Sequence, residues 1–529
     1  MTTHKLVIII KSSDHDHVRD DGEEFLLSKM IPPLMPEGEE YRKYVDSDLW
    51  DLPSAPLKLL EGENSSSTVV VQKFDDPSIG KVDLRKFDVG SALKQALLQF
   101  GLNTQSSECW EFWKYLEDAE FGPGPLVHMV FIVGKLKFGD VNLQGFGRWI
   151  SIQPALKWFS AVKPNDDRLG PLVIMGLLAD LTTKSEKWEI PSGLHFQDYP
   201  PGVTLVPMKS HTAKPFWTTN LVVVAPKEVR DNLEHSRFTA CGDSLVMDPG
   251  CCSDFNSQLE HIINGLPRKL IVFVTHHHSD HIDGLSVVQK CNPDAILLAH
   301  VNTMNRIGKG KWPLRFVSVS GGEKINISGQ LMEVIYSPGH TDGHMALLHV
   351  DTNSLVVGDH CVGQGSSLLD ITSGGNMKDY FQTTYKYLDL SPHFIIPMHG
   401  RLNLWPKQML CGYLKHRRDR ELSILKAIGS GAETLFDIIS ISYANVDTKL
   451  WFPASSNVRL HVEHLAYQKM LPKEFSMEKF QASCRLHLFL YHWAWRYLKY
   501  GILFSGQKSA FPIFVAIVFT GLALSCSLK

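Results

Sequence analysis

An apolar run that ends in a cluster of metal-ligand side chains constrains this chain more than any other feature. Leu270 to Val274 reads Leu-Ile-Val-Phe-Val, short and rich in β-branched and aromatic residues, as a buried strand requires. Directly after it come Thr275-His276-His277-His278-Ser279-Asp280-His281, and from His281 onward Ile282, Leu285, Val287 and Val288 open a helix. A turn between strand and helix aims His276 and His278 one way and Asp280 and His281 another, which is enough to serve two adjacent metals.

Further ligand types follow other strand-like runs, each beside a glycine. Val334-Ile335-Tyr336 leads to Ser337-Pro338-Gly339-His340-Thr341-Asp342-Gly343-His344. Leu355-Val356-Val357 leads to Gly358-Asp359-His360, and Phe394-Ile395-Ile396 to Pro397-Met398-His399-Gly400. Upstream, Ser244-Leu245-Val246-Met247-Asp248-Pro249-Gly250 has the same strand-then-acid form. Five loop tips predict one pocket. In this order the set resembles the metallo-β-lactamase superfamily, an α/β fold in four αββα layers with its metals at one edge between two sheets. The resemblance implies a first zinc on His276, His278 and His340, a second on Asp280, His281 and His399, and Asp359 bridging the two; manganese and iron occupy such sites as well. It also implies that Asp248 supports the ligand loops from behind; read alone, Asp248 before Pro249-Gly250 is equally a turn former.

Three histidines plus carboxylates leave coordination positions open, and a water bound there titrates near about pH 7, so hydrolysis is the default chemistry. Asp280 is the residue placed to take or pass a proton, and no serine or cysteine nucleophile is required. His344 and His360 adjoin the ligands, either to donate to substrate or to hold structure.

At 529 residues the chain exceeds one domain, and a metal domain of about 200 residues fits only its middle. The divisions read 1–202, 203–412, 413–475 and a hydrophobic tail at 476–529. A net charge of -3 gives no global nucleic-acid footprint, and nine scattered cysteines give no disulfide framework. The first residues, Met1-Thr2-Thr3-His4-Lys5 and then Leu6 to Ile10, lack the long apolar core of a signal and the Arg/Ser richness of a transit segment, which points to the cytosol.

Residues 1–202 read as a separate α+β unit with strands at Leu6–Ile10 and Glu24–Leu27. Together with Leu49-Trp50-Asp51-Leu52-Pro53 and the segment Lys94 to Leu102, they resemble a Nudix domain; an unrelated α+β domain is the alternative. Lys94, Gln95, Leu98 and Gln99 stand where that family's helix carries its Arg-Glu and Glu pairs. Without those carboxylates magnesium is poorly held, so no Nudix catalysis is expected. Asp14-His15-Asp16-His17 is metal-like in composition but reads as a solvated loop.

After His399 the sequence turns helical and basic, from Lys415-His416-Arg417-Arg418-Asp419-Arg420 through Ala432–Ile439 to Val458–Leu465. These helices resemble the winged-helix-like module of the β-lactamase-like 2 group, and Tyr336 to Leu347 fits that group's signature. The resemblance covers residues 203–475 and implies an endoribonuclease of single-stranded RNA, with Lys415, Arg417, Arg418 and Arg420 touching phosphate. The other reading of these arginines is i, i+4 pairing, Arg417 with Glu421. Met398 and His360 depart from the group, where glycine and cysteine are common. Two alternatives stand beside RNA: a hydrolase of small acyl substrates or thioesters of the glyoxalase II type, and a non-catalytic membrane-attached adaptor. Ser509 to Leu528 carries no charged residue and is long enough for a bilayer core of about 30 Å, so it reads either as a tail anchor in an intracellular membrane or as a buried or dimer-forming helix. Leu486 to Phe504 reads as an interfacial helix.

Overall fold

A computed structural model describes residues 2–12, 23–60, 70–71, 82–100, 102, 110–136, 146–159, 162–178, 190–191, 193–226, 237–308, 310–447 and 451–485. The chain forms two compact units, Met1–Arg418 and Asp419–Lys529.

The first unit holds three sheets among its described residues. One runs in the order Gln197–Asp198, Val203–Lys209, Thr218–Val224, Ser244–Met247, Leu270–Phe273, Ile296–Ala299, Phe316–Ser318. Its last four strands pair in parallel, so all four end on the same side. The second runs Ala240–Gly242, Lys324–Ile327, Gln330–Tyr336, Met345–His349, Ser354–Val356, Phe394–Ile396. Here Ser354–Val356 and Phe394–Ile396 are parallel, and Gln330–Tyr336 turns through residues 337–344 into antiparallel Met345–His349.

Side-chain alternation explains why the run after Lys269 is apolar throughout. Ile271 and Phe273 enter the core between the sheets with Leu245, Val334, Leu347 and Ile396. Leu270, Val272 and Val274 join Leu259, Ile262, Leu285 and Val288, from helices Asn256–Gly265 and Leu285–Cys291, in a separate core. A strand covered on both faces has no polar side to show, and each buried Leu or Phe contributes about 1.5–3 kcal/mol. The helix expected from His281 is broken into Ser279–Ile282 and Leu285–Cys291. Gly284, between them, lies so close to the Pro249 carbonyl that a Cβ there would sit 1.9 Å from it.

The third sheet is N-terminal and carries both expected strands, Thr2–Ser12 and Glu24–Lys29, paired antiparallel, with Leu126–Leu136 parallel to the former. Leu6, Ile8 and Ile10 pack with Leu93, Ala96 and Leu97 of helix Val89–Leu98. Val7 and Ile9 belong to a core that also contains Phe394, Leu402, Leu404 and Trp405, so this sheet packs directly on the sandwich. Buried Arg168 donates to the carbonyls of His393, at 3.0 Å, and Leu404. Lys94, Gln95, Leu98 and Gln99 are exposed, and none is a carboxylate. Asp14 to His17 lie outside the described residues.

In the second unit Leu435–Ser442 and Trp451–Tyr467 are helical, and Ile424, Leu435, Ile438, Val458 and Val462 share one core. Arg420 donates to Ser442 O at 2.8 Å and lies 3.8 Å over the Tyr443 ring. Glu421 accepts from His464 Nδ1 at 2.7 Å and from His461 Nδ1 at 3.3 Å. In the first unit Arg417 is 2% exposed, donates to Ser367 O and lies 4.9 Å over Tyr380. Arg418 bonds Glu40 and the Tyr385 hydroxyl. Arg417, Arg418 and Arg420, all expected to face RNA, are therefore committed to internal partners. Among the described residues no helix is long and apolar enough to cross a membrane; Leu486 to Phe504 and the tail Ser509 to Leu528 lie outside them.

Candidate metal centre

Four strand ends deliver the expected ligands to one place and a fifth, after Met247, brings Asp248 behind them, because strands running the same way present their following loops side by side. His276 Nε2 and His278 Nδ1 lie 2.9 Å apart, and His340 Nε2 is 3.2 Å from each. Ligands at 2.0–2.1 Å on a tetrahedral ion stand about 3.3 Å from one another, so these three nitrogens have the spacing of a metal triad. Asp359 Oδ2 is 3.8 Å from His276 Nε2 and from His340 Nε2. Its other oxygen faces the second group: Asp359 Oδ1 lies 3.4 Å from His281 Nε2 and 3.3 Å from His399 Nε2. Asp280 completes that group, 3.3 Å from His399 Nε2 and 3.8 Å from His281 Nε2. His281 Nε2 and Asp359 Oδ1 are buried without a hydrogen bond, an arrangement that costs free energy unless a cation satisfies both. Both groups can hold metal ions.

Each histidine is oriented through its other ring nitrogen. The Thr275 hydroxyl donates to Asp248 Oδ2 at 2.6 Å; its one proton is then used, so His276 Nδ1–H donates to it at 3.0 Å and Nε2 is left as an acceptor. His281 Nδ1 meets Asp248 Oδ2 at 2.8 Å, His340 Nδ1 meets Leu368 O at 2.6 Å, and His399 Nδ1 meets Thr218 O at 2.9 Å. His278 is reversed, presenting Nδ1 while Nε2 meets Asp370 Oδ2 at 3.1 Å. Asp248 is fully buried and also accepts from Thr275 N at 2.8 Å, so it stands behind the ligand loops. His344 donates to Ser337 O and accepts from Asp359 N, both at 3.1 Å, and His360 stacks on Tyr380 at 4.2 Å. His344 thus uses both ring nitrogens on the ligand loops, and His360 Nε2 meets the Thr384 hydroxyl at 2.9 Å, so both brace these loops from within.

The two groups differ in charge. Burial, reinforced by neighbouring histidines, drives His276 well below the usual imidazole range and His340 down to about 4, leaving neutral donors. Burial also opposes charge on His281 and His399, but Asp359 and Asp280 outweigh it, raising His399 to about 9 and His281 well above its ordinary value. Burial likewise works against Asp280, yet His281 and His399 hold it down to about 2. A cation entering this group replaces protons, as metal binding to protein ligands generally does.

Two residues that position ligands escaped the sequence reading. Asn220 donates to Pro397 O and Gly400 O, both at 2.8 Å, and fixes the loop of His399. Asp370 follows no strand; its only local signal is a helix cap, accepting from Thr372 N at 2.9 Å before the turn Ile371–Ser373. Asp370→Ala is expected to weaken metal affinity about 10- to 100-fold while Asp370→Asn keeps part of it, measured by chelator competition. Equal affinity in all three proteins would remove Asp370 from this role.

Residues 238–399 match the family model described as Metallo-beta-lactamase superfamily. The chain is similar to the beta-lactamase-like protein 2 homolog of Caenorhabditis elegans, 28% identical over 214 residues, 40% of this chain and 66% of that protein. The Drosophila melanogaster protein of the same name is 24% identical over 206 residues, 37% of this chain and 67% of that one. A hydroxyacylglutathione hydrolase of Synechococcus is 29% identical over 144 residues, 27% of this chain and 53% of that protein. The chain thus spans about two thirds of the length of the first two and about half of the third.

Proposed function

We propose that this protein, whose residues 238–399 match the metallo-β-lactamase superfamily model, a family generally of metal-dependent hydrolases, cleaves phosphodiesters of single-stranded RNA with two zinc ions. His276, His278 and His340 would hold one ion and Asp280, His281 and His399 the other, with Asp359 facing both groups. The observation that carries the reading is the division of Asp359, one oxygen toward each histidine group, because paired ions suit the attacking and leaving oxygens of an in-line displacement at phosphorus. Bound zinc supplies Lewis acidity and activates water. The chain's own contribution is positional: Asp248, Asp370 and the carbonyls of Leu368 and Thr218 fix ring orientation. Asp280, 12% exposed at its side chain, is placed to take a proton from the attacking water and pass it outward. The N-terminal sheet and helix, Nudix-like in sequence, act as scaffold and recognition surface and not as a magnesium site. Similarity to the beta-lactamase-like protein 2 homologs supports the domain type in this reading and leaves the substrate to the assay below.

Hydrolysis of an acyl thioester is the second reading. It is favoured by the internal commitment of Arg417, Arg418 and Arg420, which leaves those side chains little to offer a phosphate backbone, and by the similarity to a hydroxyacylglutathione hydrolase. The full-length zinc-loaded protein, assayed with a single-stranded oligoribonucleotide and with a hydroxyacyl-glutathione thioester, decides between them. Metal-dependent cleavage of the RNA is the expected result; turnover of the thioester alone would overturn it.

A further inference from the structure

The loop between strands Val203–Lys209 and Thr218–Val224 returns twice to the second ligand group. Its root is closed by Ser210, whose N–H donates to Trp217 O at 3.0 Å and whose hydroxyl lies 2.8 Å from that of Thr219. A further bond, from Phe216 N to Ala213 O at 3.2 Å, bends the far end back. Phe216 is buried, 5.7 Å from the His399 ring. It is wedged between Gly400 and Gly122, the latter in the hairpin turn at 117–125 that joins Trp110–Leu116 to Leu126–Leu136. A Cβ on Gly400 would stand 3.1 Å from the Phe216 ring and one on Gly122 2.9 Å. Asp118 of the same hairpin holds both ends of the guanidinium of Arg401, two residues after His399. The loop therefore has a fixed seat beside His399.

The other contact is made by Thr212. His211, Ala213, Lys214 and Pro215 are exposed, whereas Thr212 is half-buried and places Oγ1 3.4 Å from His399 Nε2. That is the nitrogen His399 turns toward the cation position, since its Nδ1 is used on Thr218 O. Among the described residues the other hydroxyl bonded to a ligand ring, that of Thr275, meets His276 at the far nitrogen and braces it from behind. Thr212 Oγ1 is the third oxygen around His399 Nε2, with Asp280 Oδ2 and Asp359 Oδ1 each at 3.3 Å. Its 3.4 Å is close to the spacing of about 3.3 Å between neighbouring ligand atoms on one tetrahedral ion. The three oxygens differ in what they can do. Two belong to carboxylates, which only accept when ionised; the hydroxyl alone can donate. A cation entering the group displaces the proton on Nε2, and the Thr212 hydroxyl is then free to turn its own proton to another oxygen.

We infer that Thr212 is a substrate-binding residue of the second ligand group, its hydroxyl donating to an oxygen of the group under attack. That oxygen is phosphoryl or acyl; the inference rests on the two-ion reading above and on neither substrate. Two measurements on the full-length protein test it. The first needs no substrate: Thr212→Cys loaded with cobalt(II) in place of zinc is expected to show a sulfur-to-cobalt charge-transfer band that the parent lacks, because a thiolate there stands within reach of the ion. The second is kinetic, with the oligoribonucleotide and the hydroxyacyl-glutathione thioester as substrates and kcat expressed per pair of bound ions. Thr212→Val is expected to lower kcat about 10- to 100-fold with KM within about threefold of the parent, because a hydrogen bond to developing charge strengthens in the transition state. Thr212→Ser is expected to restore most of it. A Thr212 that only braced His399 would lower the metal content and leave kcat per ion pair at the parental value. The substrate whose turnover falls names the acceptor, phosphoryl or acyl. A parent that takes up fewer than two cobalt ions would overturn the two-ion reading and this inference with it. With two ions bound, a Thr212→Cys protein without the band, or a Thr212→Val protein with parental kcat per ion pair, would overturn this inference alone.

Discussion

Asp359→Ala is expected to lower the metal content from about two ions per chain to one or fewer and to depress hydrolysis by roughly 10²- to 10⁴-fold. Two dications about 3.7 Å apart at an effective dielectric of about 20 repel by roughly 18 kcal/mol, and a carboxylate between them is the nearest offset available. Its oxygens lie 3.3 to 3.8 Å from four imidazole nitrogens, so no neighbouring side chain can take its place. Removing one member of a buried charged cluster costs about 3–5 kcal/mol, and each 1.36 kcal/mol lost from the transition state is about tenfold in rate. The loop itself should persist, because its backbone is held through His344 to Asp359 N and through Ser367 to Asp359 O. Metal analysis with circular dichroism checks this. Two ions per chain and activity within tenfold of the parent would show that Asp359 does not join the two groups.

The ligand loops were legible because each is announced by a strand. Leu270 to Val274, Val334 to Tyr336, Leu355 to Val357 and Phe394 to Ile396 are apolar since both sheet faces are covered, and the chain turns polar at the pocket edge. Partners reached through space left no such trace. Asp370 touches His278 across 92 residues, and Asn220 holds the loop of His399 across 177 and 180. Arg417 shows how misleading local charge can be. Its neighbours in sequence suggest a basic surface, yet it is buried against Ser367, whose hydroxyl bonds Asp359 O, so a residue expected to touch RNA instead backs the metal loop. Glu421, expected to pair with an arginine four residues earlier, turns to His461 and His464, which no helical spacing could announce.

The N-terminal region divides in the same way. The unbroken apolar run Leu6 to Ile10 gave the strand, and the absence of carboxylates at Lys94, Gln95, Leu98 and Gln99 was plain in the sequence. That the hairpin at 117–125 reaches the pocket was not, because the contact of Asp118 with Arg401 spans 283 residues. Sequence periodicity reports which face of an element is covered, never by what.

Gly250→Ala should be the most disruptive alanine substitution among the described glycines. A Cβ at Gly250 would stand 1.8 Å from Asp280 O and 2.6 Å from the His281 Cα, and both contacts are backbone, so no rotamer change relieves them. Reciprocally, a Cβ at Gly284 would meet the Pro249 carbonyl at 1.9 Å, so the loop after Met247 and the loop after Phe273 interlock on both sides. Overpacking a tight site costs about 1–3 kcal/mol even when side chains can adjust. Here the loop carrying Asp280 and His281 must move instead, and the second metal site is expected to be lost along with about 3 kcal/mol or more of stability. Gly412→Ala is the opposite case: it lies within helix Pro406–Gly429 with nothing within 4 Å of its would-be Cβ, so alanine is expected to stabilise by up to about 1 kcal/mol. Thermal melts of both variants, with metal content measured alongside, test the contrast. A Gly250→Ala protein that melts with the parent and holds two ions would mean that these loops do not interlock as described.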